Sequence, residues 1–290
     1  MDERAALALL ADELEYAGDD AAIVDGLVVT TDMLHERTDF PPGTTRYTAG
    51  WRAVGASLSD VAAMGAPATA AVAAYAAPTF DRDELLAFVR GASDVCDRVG
   101  ADYVGGDLDG HEEFTVSTTA IGRTDAPVRR SGARPGEVVC VTGTLGRSAA
   151  ALSLFDRGDH ERANGLFRFE PRVETGRTLA SVATALMDSS DGLARSLHQL
   201  GAASDCGFAV ESARLPIADA VFETTDDEAA ALDRATTFGE DFELVCTIPE
   251  ADVATVRQDS TVPVTPIGSV VAEGITLDDE PLADRGYTHG

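Results

Sequence analysis

Apolar positions along the chain recur with two alternating periods, and the switches between them mark its elements. Leu7, Leu10 and Leu14 stand at helical spacing and predict a helix over residues 2–14. From Ala21 the pattern changes to two β-branched runs, residues 21–24 and 27–31, divided by Asp25-Gly26, a pair that accepts positive φ in a two-residue hairpin turn. If that turn is tight, Asp20 faces Thr31 and Asp19 faces Asp32, so three carboxylates crowd its open end. Residues 33–44 then read as a loop containing His35, Asp39 and Pro41-Pro42. Trp51, Val54, Leu58 and Val61 line one face of a helix over residues 45–64, with Ser59-Asp60 in its last turn. A strand over 69–75 leads to a helix opened by Asp81 and Glu84 and closed by Gly100. A short strand runs into Gly105-Gly106-Asp107, and residues 114–121 return from it.

After residues 125–136, which carry Arg129, Arg130, Arg134 and two prolines, the pattern resumes with a strand over 138–141, a turn reading Thr142-Gly143-Thr144-Leu145-Gly146, and a helix from Arg147. Such a turn offers free N–H groups to a phosphate. A helix over 170–183 and a short strand lead into Asp188-Ser189-Ser190-Asp191-Gly192-Leu193, followed by a helix to about Ser204. Further strands are expected at 207–211, 242–248, 264–268 and 275–277. The fold class is α/β (α+β) in two domains, 1–128 and 129–290.

Charge alters this picture in two ways. Fifty Asp and Glu against 22 basic residues leave the chain at −28, and every basic residue is Arg. A surface this acidic repels itself and suits a salt-rich cytoplasm, and nucleic acid is a poor partner for it. The absence of lysine excludes a P-loop lysine, a kinase strand lysine and Schiff-base chemistry. The four cysteines, Cys96, Cys140, Cys206 and Cys246, have no metal-ligand spacing and read as reduced core residues. No basic start precedes an apolar run, and the Ala-rich tract 61–77 is broken by Gly65 and Pro67, so neither a secretory signal nor a membrane span is expected.

Among so many acids, Asp19, Asp20, Asp32, Asp107, Asp188 and Asp191 differ in placement, at expected strand ends beside Gly, Ser or Thr. Oxygen donors without clustered His or Cys suit Mg²⁺ shared with phosphates. Asp60 at a helix C-terminus opposes the dipole unless a cation offsets it.

In order, Gly18-Asp19-Asp20-Ala21-Ala22, Thr30-Thr31-Asp32-Met33-Leu34, the run from Ser59 to Pro67, Gly105-Gly106-Asp107, the run from Arg130 to Gly136, the Thr142 turn, Asp188 to Leu193, Phe238-Gly239-Glu240-Asp241-Phe242-Glu243-Leu244 and Gly286-Tyr287 resemble the thiamine-monophosphate kinase family over nearly the whole chain. The resemblance implies ATP-dependent phosphorylation of thiamine monophosphate to the diphosphate, a homodimer whose N-terminal domains share a β-barrel, and an α/β C-terminal domain. It further implies that Asp20, Thr30, Thr31, Asp32, Asp60, Asp107, Asp188 and Asp191 hold several Mg²⁺ ions. Gly106, Asp107, Arg130 and Ser190 would serve ATP, and Asp39, Glu240 and Tyr287 the thiamine phosphate. No covalent nucleophile or general base is expected. Arg52 stands where the family often has Lys, Ser57 where it often has Asn, and Asp39 where it often has His. An aminoimidazole-ribonucleotide synthetase-like enzyme and a non-catalytic nucleotide or cation-binding module are the alternatives.

Overall fold

The expected hairpin is formed: in the computed structural model of the chain, Asp25 and Gly26 have φ of 51° and 74°, and Val24 pairs with Leu27. The structure describes residues 9, 10, 13, 14 and 16–287. The helix expected over 2–14 falls mostly outside them, as does His289.

β1 (Ala22–Val24) and β2 (Leu27–His35) begin the first sheet. β2 runs past the expected end of the hairpin because Met33, Leu34 and His35 pair with Ser117, Val116 and Thr115 of a strand far along the chain. Only Glu36–Asp39, a single turn α1, and the residues after it form the connection read from the sequence as a loop. α2 (Arg46–Ala63), β3 (Ala68–Ala77), α3 (Arg82–Val99), β4 (Asp102–Gly110) and β5 (Thr115–Arg123) follow. The strand order is β1-β2-β5-β3-β4, with β4 parallel to β3 at an open edge. Gly105-Gly106-Asp107 lies inside β4 rather than at its end. A Cβ at Gly106 would stand 1.7 Å from Ala73 O, so the glycine lets this strand lie against β3.

Local signals set the helices. Asp81 accepts hydrogen bonds from the backbone N–H groups of Asp83 and Glu84 to start α3, and Gly100 closes it in the left-handed region. α2 and α3 cross at glycines: a Cβ on Gly50 would meet Phe88 O at 2.2 Å, and one on Gly91 would meet Tyr47 O at 2.0 Å. This backbone-to-backbone contact centres α2 in the molecule.

The second sheet comes from β6 (Val138–Thr142), β7 (Ala185–Asp188), β8 (Gly207–Val210), β9 (Leu244–Ile248), β10 (Val264–Val271), β11 (Ile275–Leu277) and β12 (Glu280–Pro281), ordered β12-β11-β8-β10-β6-β9-β7. α4 (Arg147–Asp156), α5 (His160–Phe167), α6 (Val173–Leu179), α7 (Leu193–Ser204), α8 (Asp219–Thr224), α9 (Glu228–Thr237) and α10 (Val253–Asp259) connect and cover it. α6 is shorter than the helix expected over 170–183, since its turn begins only after Pro171 and Arg172.

Val54, Leu58 and Val61 of α2 are wholly buried in one continuous core with Cys140, Leu186, Leu244, Cys246 and Ile248 of the second sheet. Burying each of these α2 side chains stabilises by about 1.5–3 kcal/mol. The other face of the second sheet packs Val139, Val141 and Phe208 against Leu193, Leu197 and Leu200 of α7. The cysteines are unbridged, with Cys96, Cys140 and Cys246 buried and Cys206 half-buried. Among the described residues no helix is long and apolar enough to cross a membrane.

Candidate active site

α2 sits between the two sheets, so its last turn delivers Asp60 to the place where the residue before β1 and the end of β7 meet. Asp20, Asp60 and Asp188 bring carboxylate oxygens within 4.8 Å of one another. Burial and three neighbouring acids, Asp32, Asp188 and Asp20, push the Asp60 carboxyl well up; the Thr30 hydroxyl, donating at 2.5 Å, pulls the other way. Burial, followed by the charge of Asp20, raises Asp188 to about 7 against hydrogen bonds from Ser59 Oγ (2.7 Å) and the Ser190 backbone N–H (3.2 Å). Carboxylates forced together in low dielectric fit a cation, and an all-oxygen donor set fits a hard one. Ser189 Oγ, buried beside Asp188, has no hydrogen-bond partner among the described residues.

Arg130 offsets part of this charge with two bonds to Asp20, from Nε at 3.1 Å and from a terminal nitrogen at 2.9 Å. Asp19 accepts from the Arg130 backbone N–H at 3.1 Å, so it fixes the segment that carries Arg130. Asp32 accepts from Ser57 Oγ at 2.5 Å, and Ser57 in turn meets Thr118. Ser57, Ser59 and Asp19 act as supporting groups; the sequence marked Asp19 by its placement and Ser57 by its departure from the family pattern, and Ser59 only by its adjacency to Asp60, without giving any of them this role.

Thr31 and Asp107 do not join the cluster within one chain. Alternation along β2 buries Val28 and Thr30 and exposes Thr31 and Met33, and the Thr31 hydroxyl donates to Thr118 O. Asp107 is exposed, in register with exposed Ala74, on an edge strand three strands from Asp32. Gly106 and Asp107 instead line a cavity of about 640 Å³ between β4 and α3, walled by Tyr75, Phe88, Val89 and Tyr103.

The residues expected at the acceptor end converge on the loop 188–191. The Tyr287 backbone N–H donates to Asp191 O at 3.1 Å, and its hydroxyl reaches Asp39 at 3.4 Å. The Glu240 backbone N–H donates to Ser190 O at 2.6 Å. Glu240 and Phe242 both have positive φ, 62° and 53°. Between them, Asp241 is buried and accepts from the N–H groups of Gly146 (2.5 Å) and Ser148 (3.0 Å) at the start of α4. Burial raises its carboxyl to about 7 although both N–H groups favour its charge. Glu243 takes Thr144 N–H and Thr142 Oγ1 and is paired with Arg172. The Thr142 turn therefore uses its donors within the chain, Thr144 and Gly146 N–H on the acids Glu243 and Asp241 and Gly143 and Leu145 N–H on Pro263 O and Pro216 O, rather than on a phosphate. Asp241→Ala is expected to lower stability by about 2 kcal/mol through the lost helix-start bonds, read as a falling denaturation midpoint; an unchanged midpoint would show that water replaces the carboxylate.

Comparison with known proteins gives the same order of parts. Residues 18–124 match the AIR synthase related protein N-terminal domain and residues 134–279 its C-terminal domain. A thiamine-monophosphate kinase of Halobacterium salinarum is 64% identical over 100% of both chains, and that of Escherichia coli K12 is 34% identical over 94% of this chain and 90% of its own. The crystal structure of the thiamine-monophosphate kinase from Stenotrophomonas maltophilia K279a superposes with a TM-score of 0.83 at 32% identity, covering 96% of this chain and 95% of that one. A structure described as AaThiL complexed with AMPPCP and TMP superposes at 0.89 with 26% identity, covering 100% and 97%. On this sequence likeness, full-length in the halophile, the chain belongs to the thiamine-monophosphate kinase family, within the AIR synthase related proteins.

Proposed function

We propose that the chain transfers the γ-phosphoryl group of ATP to thiamine monophosphate, giving thiamine diphosphate and ADP. The observation that carries this is the loop 188–191, which holds Asp188 in the carboxylate cluster and, through Ser190 O and Asp191 O, anchors Glu240 and Tyr287. A site for the charge of a phosphate donor and a site for an acceptor thus share one short segment.

The acceptor is already an anion, so the chain need not remove a proton; its task is alignment and charge compensation. Asp20, Asp60 and Asp188, with Asp32 beside them and Asp191 on the same loop as Asp188, are the residues that would hold Mg²⁺, and Thr30 is within reach through Asp60. Bound there, Mg²⁺ would supply positive charge that, in a chain without lysine, only Arg otherwise provides. Arg130 adds a fixed cation that can turn from Asp20 to a phosphate oxygen, and Ser190 borders the same space. Asp39, Glu240 and Tyr287 would flank the thiamine phosphate.

The homodimer reading gives Asp107 and Gly106 a place in this scheme. Among the described residues, the first sheet exposes Thr31, Met33 and Ala74, and β4 leaves an open edge with Val104 and Leu108 exposed. Pairing two such sheets into a barrel covers both, and sets the cavity beside Gly106 and Asp107 of one chain against the carboxylates of the other. The division into domains 1–128 and 129–290, and a cytoplasmic location, complete the proposal.

Purified protein in molar KCl with Mg²⁺, ATP and thiamine monophosphate is expected to form thiamine diphosphate and ADP in equal amounts, measured by chromatography. No product at any salt concentration overturns the assignment.

A further inference from the structure

Arg52 is a buried cation that the charge-transfer scheme does not use. It lies in the middle of α2, 2% exposed, with its guanidinium 3.6 Å from the centroid of the Phe167 ring. One terminal nitrogen donates to Phe167 O at 2.6 Å and lies 3.4 Å from Ser148 Oγ; the other pairs with the Glu240 carboxylate and lies 3.4 Å from Glu240 O. Ser148 Oγ also donates to Glu240 O, at 2.6 Å. Glu240 sits at positive φ, a conformation that costs a non-glycine residue free energy and persists only where neighbours impose it. Its side chain remains 18% exposed, whereas that of Arg52 is 3% exposed. One face of the carboxylate is thus held from within while the group stays reachable from the cleft.

We propose that Arg52 is the positioning residue of the acceptor site: it fixes the backbone and carboxylate of Glu240 and, through the Glu240 N–H to Ser190 O bond, sets the acceptor against the carboxylate cluster. The proposal rests on the assignment of Glu240 to the thiamine phosphate and deepens it. Arg52 does not touch substrate; it acts from the first half of the chain on a strained turn of the second. A flat guanidinium fits this place because it stacks on Phe167 while its donors diverge to Phe167 O, Ser148 Oγ and Glu240.

The test is a double-mutant cycle of Arg52→Met and Glu240→Gln, with binding of thiamine monophosphate followed by the fluorescence of Trp51, the only tryptophan. KM values for both substrates and thermal melts accompany it. Each single change is expected to weaken thiamine monophosphate binding at least about tenfold while KM for ATP stays within about twofold, and the double variant is expected to be no worse than the worse single one. Arg52→Lys, which keeps the charge but neither the stack on Phe167 nor the diverging donors, is expected to recover only part of the loss. Losses that multiply in the double variant, or equal changes in both KM values, overturn the positioning role. Wild-type protein that binds thiamine monophosphate without turning it over overturns the phosphotransfer reading and leaves this one standing; wild-type protein that does not bind it overturns both.

Discussion

Asp188→Asn is expected to lower turnover by about three orders of magnitude and, in EDTA, to raise the melting temperature. The first effect follows from removing one of three converging charges, on the scale known for loss of a preorganised charge-stabilising group. The second has the opposite sign because the same charge opposes folding when no cation is bound. Asp188 is 1% exposed and raised to about 7 from an ordinary 3.8, chiefly by burial and then by Asp20. A carboxyl raised on folding contributes fully below the unfolded value, and that contribution is lost as pH climbs through the folded one. Cation-free wild-type protein should therefore lose stability between about pH 4 and pH 7, on the order of 2–4 kcal/mol from this group. The Asp188→Asn variant should lack that slope while keeping one oxygen to accept from the Ser190 N–H and an NH2 that donates to the Ser59 hydroxyl. Mg²⁺ should reverse the order, raising the wild-type melting temperature more than the variant's, and the Mg²⁺ needed for half-maximal rate should grow as pH falls below 7, where protons compete for the site. Scanning calorimetry with and without Mg²⁺ at pH 5 and 8 reads all of this. A variant with kcat within tenfold of wild type, or one less stable in EDTA at pH 8, removes Asp188 from the cluster's chemistry.

What could be read from residues alone divides along the range of the interactions. The Asp25-Gly26 turn, the Asp81 start and Gly100 stop of α3 and the apolar face of α2 are local, and each is formed. Asp60 stood out because an acid in the last turn of a helix opposes its dipole, and Asp20 and Asp188 prove to lie beside it, which adds to the negative charge that a cation would offset. The extension of β2 through His35 was not legible, since its partners lie some eighty residues away on β5. The use of the Thr142 turn was hidden for the same cause: the anion at the start of α4 is Asp241, supplied from far along the chain. Arg52 registered only as a departure from the family pattern, because a single Arg inside an Ala-rich helix carries no local sign that it is buried against Phe167 and Glu240. The expectation of which acids act together came from their placement and from the family motifs; composition alone marks all fifty alike.

Mixing two inactive proteins, Asp107→Asn and Asp188→Asn, is expected to restore activity. Within one chain Asp107 is three strands from Asp32, roughly 14 Å across the sheet at the usual strand spacing, and exposed at its far edge. It is also missing from the acids that raise Asp60. A carboxylate so placed serves the reaction only if it faces the cluster of another copy. In a homodimer joined through the first sheets, each site then combines Asp20, Asp60 and Asp188 of one chain with Gly106 and Asp107 of its partner. Asp107→Asn alone should abolish turnover while leaving the melting temperature near wild type, because an exposed edge residue accepting only from its neighbour Leu108 carries little of the fold. After subunit exchange, the heterodimer of the two variants holds one site with both changes and one with neither. Random pairing makes half of the molecules heterodimers, so the mixture should reach about a quarter of wild-type activity, with size-exclusion chromatography establishing that the dimer forms and exchanges. Proteins that are each inactive and remain so after proven exchange place both groups in the same chain's site. A monomer with full activity removes the shared barrel altogether.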